Sequence, residues 1–138
     1  MKPRFSQHGS FTAELVVLVP VVVLFALLAV GLARFEVTKQ AIVDAARSAA
    51  EAASVTASPS NAASTAGQAA FPGLQDLTHS CPNPIIATDT ASFVPGGVVR
   101  VTVSCRVDLS GLLVPGLPGS LSVVVTQSAP IDPYRWVR

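Results

Sequence analysis

The chain has 138 residues, of which half are hydrophobic and only 12% are charged. A soluble domain carries about 25% charged residues, so part of this chain avoids water. A net charge of +1, with the basic residues scattered singly, excludes the strong field that would attract nucleic acid or steer an acidic ligand.

Residues 15–33 read LVVLVPVVVLFALLAVGLA, with no charge and no polar stripe. As a helix these about 19 residues rise roughly 28 Å, close to the about 30 Å of a bilayer's hydrocarbon core. A soluble core helix would show a polar face at the helical period. The run therefore predicts a transmembrane helix. Lys2 and Arg4 precede it, while Arg34, Glu36, Lys39, Asp44, Arg47 and Glu51 follow it and cancel. The positive-inside rule puts the N-terminus in the cytoplasm and the remainder outside the membrane. A cleaved secretory signal is the alternative, with small residues at Ala29-Val30-Gly31 as its cut site. The apolar part of such signals is typically about 7–15 residues, shorter than this run.

Glu14 stands directly before the apolar run. An acid at the centre of a membrane helix costs about 2.5–3.5 kcal/mol, whereas at the headgroup level it complements the helix dipole. Pro20 lies inside the run. It removes one helical hydrogen bond and clashes with the Val16 carbonyl, which favours a kink. Membrane helices tolerate this because neighbours satisfy the freed group.

The order Lys2 and Arg4, Gly9, Ser10-Phe11-Thr12-Ala13-Glu14 and then the apolar run resembles the processing region of type IV prepilins. More closely it resembles the TadE-like family, pseudopilins of tight-adherence (Flp-type) pilus systems. Gly9 and Glu14 fit that family's G-x-x-x-x-E, Pro20 follows after five apolar residues, and Ala45-Ala46-Arg47 fits its Ala-Ala-Arg. The strong resemblance covers residues 8–50. The ending Ala129-Pro130-Ile131-Asp132-Pro133-Tyr134-Arg135 looks like the tail of actinobacterial members, while Ser48-Ala49-Ala50-Glu51 departs from the usual Glu-Gly-Ala-Arg. The resemblance implies leader cleavage after Gly9 by a prepilin peptidase, making Ser10 the first mature residue and Glu14 the fifth. It also implies other pilin or pseudopilin subunits and the pilus assembly platform as partners. A carboxylate on a neighbouring subunit can neutralise the new Ser10 ammonium, since paired charges tolerate low dielectric far better than lone ones.

Residues 41–55 read AIVDAARSAAEAASV, rich in the best helix former. Asp44, Arg47 and Glu51, spaced by three and four, line one face and can pair; Ala41, Ala45, Ala49 and Ala52/Ala53 line another. One helix is expected from about Thr12 to Ser54, ended by Ser58-Pro59-Ser60-Asn61. The alanine face either admits another helix, or its own domain, at close range, or reflects propensity alone. Residues 61–72 read as a linker or as a helical continuation.

From Leu74 onward the texture turns to β. Val99, Val101, Val103, Cys105 and Val107 alternate with Arg100, Thr102, Ser104 and Arg106, as a half-buried strand does. A second strand is expected over 121–127 and a third over 85–88, with Pro95-Gly96-Gly97 as the turn before the main strand. A Cys81–Cys105 disulfide suits an oxidising compartment, and two buried thiols are the alternative. Residues 109–119 (LSGLLVPGLPG) are apolar for a loop, so they pack on the sheet, dip toward the membrane or meet a neighbouring subunit. Tyr134 and Trp136 cap the domain or mediate contact.

No catalytic or metal constellation stands out. His8 and His79 are far apart, and a Cys81–His79 nucleophile pair would need the thiol free. No phosphate loop or nucleophile elbow occurs. The chain is therefore expected to be a non-enzyme with no cofactor, no small-molecule substrate and no nucleic-acid partner. The expected fold class is α+β: a leader (1–9), a transmembrane and extended helix (10–58, membrane span 15–33) and a small extracytoplasmic antiparallel β domain (59–138). A plain single-pass envelope or binding protein, and a protein secreted by signal peptidase, are the competing readings.

Overall fold

The computed structural model describes residues 10–78, 80–108 and 119–134. Its first element, α1 (Ser10–Ser54), is one unbroken 45-residue helix that runs through Pro20. Its length is roughly 67 Å. The last turn is closed by side chains: Ser54 Oγ donates to the Glu51 carbonyl at 2.8 Å and Thr56 Oγ1 to that of Ala53 at 2.8 Å. Carbonyls that a helix end leaves without a partner are satisfied this way.

Residues 61–72 are neither a linker nor a continuation of α1. They belong to a second helix, α2 (Pro59–Gln75), so the segment beginning at residue 59 is helical before it is β. Ser58 is its N-cap, and Pro59 enters at the first helical position, where a missing N–H costs nothing. Ala62, Ala66, Ala70 and Leu74 repeat every four residues and are all buried. They face α1, where Ile42, Ala45, Ala46, Ala49, Ala50 and Ala53 are the buried apolar positions. The two helices form an antiparallel hairpin: the short 55–58 connection joins them at one end, and at the other a Cβ on Gly73 would lie 3.3 Å from the Ala45 Cβ. Small side chains allow that approach, so α1's alanine face is occupied by its own domain.

Three strands follow: β1 (Ile85–Asp89), β2 (Val98–Asp108) and β3 (Ser120–Pro130), in the sheet order β1-β2-β3 with both pairings antiparallel. These are the three expected strands, each slightly longer than the sequence pattern indicates. The alternation of β2 is obeyed: Val99, Val101, Val103, Cys105 and Val107 are all buried, while Arg100 and Arg106 are exposed. The buried face packs under the helical hairpin, with Val123, Ala129, Phe93 and Ile131 completing the core. Burying each such valine is worth about 1.5–3 kcal/mol. On the outer face the Thr102 and Thr126 hydroxyls stand 2.9 Å apart across the β2–β3 pair, and Ile85 and Val124 are exposed beside Ser104.

The turn before β2 lies at Pro95-Gly96-Gly97, where Gly96 adopts φ 76°. The Ile131 N–H donates to the Gly97 carbonyl at 2.9 Å, tying the end of β3 to this turn. Cys81, after α2, is disulfide-bonded to Cys105 on β2, with Cα atoms 5.6 Å apart. The molecule is thus α+β, a helical hairpin over one face of a three-stranded antiparallel sheet, with the N-terminal part of α1 projecting from it. Residues 109–118 and 135–138, with the apolar loop and Trp136, lie outside the described residues.

Candidate functional site

The projecting part of α1 is bare. Each large apolar side chain from Leu15 to Leu32 is between 43% and 69% exposed, on every side of the helix. Such a surface far exceeds the apolar patches that monomeric soluble proteins leave in water. The segment is long and apolar enough to cross a membrane.

Contact with the domain begins just beyond the apolar run. Phe35 is partly buried against the core, Thr38 is buried and Ile42 is fully buried. Thr38 Oγ1 donates back to the Arg34 carbonyl at 3.0 Å, which satisfies its hydroxyl without breaking the helix. No flexible stalk separates span and domain, since α1 is one helix through both.

Ser10 is the first residue of α1, and Glu14 lies four residues later, immediately before the bare segment. Four residues apart on a helix, the two positions share a face. Gly9 lies outside the described residues. Pro20 has no N–H, so the Val16 carbonyl lacks its usual helical donor in the middle of the bare segment. None of these positions is near the disulfide, which belongs to the domain.

The exposed stripe of α1 beside the sheet carries charge. Arg47 Nε donates to Glu51 Oε1 at 2.9 Å, the pairing that the spacing predicts, with both side chains largely exposed. This hydrogen bond, then the Glu51 charge, raises the Arg47 pKa above its ordinary value; nearby Asp44 adds to the effect. Among the described residues no three His, Cys, Asp or Glu side chains gather as a metal set.

The family model described as TadE-like protein matches residues 9–51. The N-terminal helix is TadE-like. The match starts at Gly9 and ends at Glu51, so it takes in the bare segment and the charged stripe, and it stops before α2 and the sheet. TadE-like proteins are associated with tight-adherence pili, and one apolar helix near the N-terminus fits a single-pass anchor. No curated protein and no solved structure matches the chain.

Two features of the chain were not expected from its sequence. Helix α2 was signalled by Ser58-Pro59 and by the four-residue repeat of Ala62, Ala66, Ala70 and Leu74. The concavity around Arg106 had no signal, because it is assembled from all three strands and the loop before β1.

Proposed function

We propose that this chain is a TadE-like minor pseudopilin, a membrane-anchored structural subunit of tight-adherence pilus assembly. It inserts with its N-terminus in the cytoplasm and its domain outside, and a prepilin peptidase cuts after Gly9. The mature chain then packs through the bare helix against other pilin or pseudopilin subunits and the assembly platform. Glu14 meets the Ser10 ammonium of a neighbour and sets the register, and Pro20 bends the helix for bundling. The work is packing rather than catalysis.

One observation carries the reading: the family match takes in the whole stretch of α1 that the domain leaves uncovered, together with the first turns packed on the domain. The small-residue face farther along α1 is taken by α2, so the bare segment is the helix surface left for other subunits. N-terminal sequencing of the membrane-bound chain from its own cell tests this. A start at Ser10 is expected. A start at Met1 would mark a plain anchor, and one near Ala33 a secreted protein; either overturns the proposal.

A further inference from the structure

Strand β3 forms one border of the sheet, and no strand among the described residues pairs with its outer side. Its end shows which backbone groups face outward. The Ile131 N–H donates to the Gly97 carbonyl at 2.9 Å, and the Ile131 carbonyl accepts from the Gly96 N–H at 3.2 Å. Ile131 therefore turns both groups toward the β2 side. Direction alternates along a strand, so the odd-numbered residues of β3 do the same, while Ser120, Ser122, Val124, Thr126 and Ser128 turn theirs to the open edge. Two observations agree with this phase. Pro130, which has no N–H, takes an outward position. The Val98 N–H, opposite Pro130, donates to the Ser92 carbonyl rather than to β3.

Open edges are normally blunted by charge, proline or shortness. The other border, β1, is blunted: it has five residues, follows Pro84 and ends on Asp89. By contrast β3 has eleven residues, no charged side chain, and a proline only at its last position. Beside its C-terminal half runs a groove between Asp44, Arg47 and Glu51 of α1 and the strand residues Gln127 to Pro130. No residue of α2 or β2 lines it, so it opens on the flank away from both. Arg47 is bonded to Glu51, whereas the Asp44 carboxylate forms no ion pair among the described residues. Two carboxylates against one guanidinium leave this wall with a net negative charge. A second copy's β3 does not suit the place, because it brings no charge for Asp44. Antiparallel β3 strands joined edge to edge would also be related by a two-fold axis normal to the sheet, which points the two α1 helices in opposite directions.

We propose that the open edge of β3 receives an extended segment of another protein as a fourth strand, with a basic side chain of that segment directed at Asp44. Its backbone pairs with the outward groups of Val124, Thr126 and Ser128, and its side chains on the opposite face rest beside the exposed Val124. This docking is independent of leader cleavage and of what the bare part of α1 packs against.

Amide hydrogen exchange, read residue by residue by NMR on the full chain in detergent micelles, tests this. The probe is the end-capped peptide Ser-Thr-Val-Lys-Val-Thr-Ser. Before its addition, the Ser122, Val124, Thr126 and Ser128 amides should exchange at least about tenfold faster than those of Val123, Val125 and Gln127. At about ten times its dissociation constant, the peptide should slow the first set about tenfold and leave the second unchanged. Replacing its lysine by glutamate should weaken binding about fivefold, and Asp44→Asn should remove that difference. Val124→Pro deletes an outward N–H but no bond to β2, and should weaken binding at least about tenfold. If that variant fails to fold, the peptide methylated on every backbone nitrogen takes its place on the unaltered chain and should not bind. No added protection at about 1 mM peptide overturns the proposal, as does a lysine preference that survives Asp44→Asn. Edge amides already slow in the free chain overturn it too: in favour of a second copy if the slowing grows with chain concentration, and of a segment of the chain itself if it does not.

Discussion

Gly97 and Gly67 show how differently a single methyl group weighs in this chain. A Cβ at Gly97 would run into the Ser92 carbonyl and approach that of Val94 to 2.9 Å, whereas at Gly67 it would meet nothing within 4 Å. Gly97→Ala should therefore destabilise the domain by about 1–3 kcal/mol. Gly67→Ala should stabilise it by about 0.5–1 kcal/mol, because glycine inside a helix loses the most backbone freedom on folding. Thermal melts of the two variants in one detergent check both signs. Glu14 belongs to another kind of argument, since it stands at the start of the bare segment and outside the packed domain. Glu14→Val should leave membrane insertion intact and abolish subunit assembly. Membrane fractionation alongside a pilus assembly assay measures both, and normal assembly would contradict the register role proposed for this residue.

At the scale of elements, the helical hairpin depends on small side chains where α1 and α2 cross. Gly73 against Ala45 leaves no room for a larger residue. Gly73→Leu should force the helices apart, at a cost of about 1–3 kcal/mol or more if the hairpin cannot shift. Its signature is lower helicity of the domain together with an earlier melt. The disulfide joins the end of α2 to β2 across a sequence separation of 24. The chain-entropy model assigns such a closure roughly 3–3.5 kcal/mol. The double variant Cys81→Ala/Cys105→Ala should lose stability of that order in chemical denaturation, and no loss would mean that the reduced chain is already restrained there. By contrast Arg47→Ala should barely change the melt, because the ion pair with Glu51 is exposed and screened by solvent.

At the scale of the whole molecule, one continuous helix serves two environments. Its first half is bare and its second half is part of a core. A chain beginning at Arg34 retains all the buried side chains and should be a folded, water-soluble domain, while the full chain requires detergent; sedimentation and circular dichroism distinguish the two. The bare segment, the β2 alternation, the two flanking strands and the cysteine pair were legible in the sequence, because each is a local pattern with its own period or spacing. The Ala-rich stretch was legible as helix but not as a buried surface. Alanine's helix propensity looks the same whether or not a neighbour packs against it, and that neighbour, α2, follows a reversal at residues 55–58 that composition alone leaves open. The amino-acid order by itself determined the apolar span, its flanking charges and the TadE-like motif through Glu51, since crossing a bilayer is a matter of length and hydrophobicity. Only the tertiary structure decided that the alanine face is taken by α2, and that residues of all three strands meet around Arg106. Those outcomes depend on which way the chain turns between elements, and on the disulfide and close packing that hold them there.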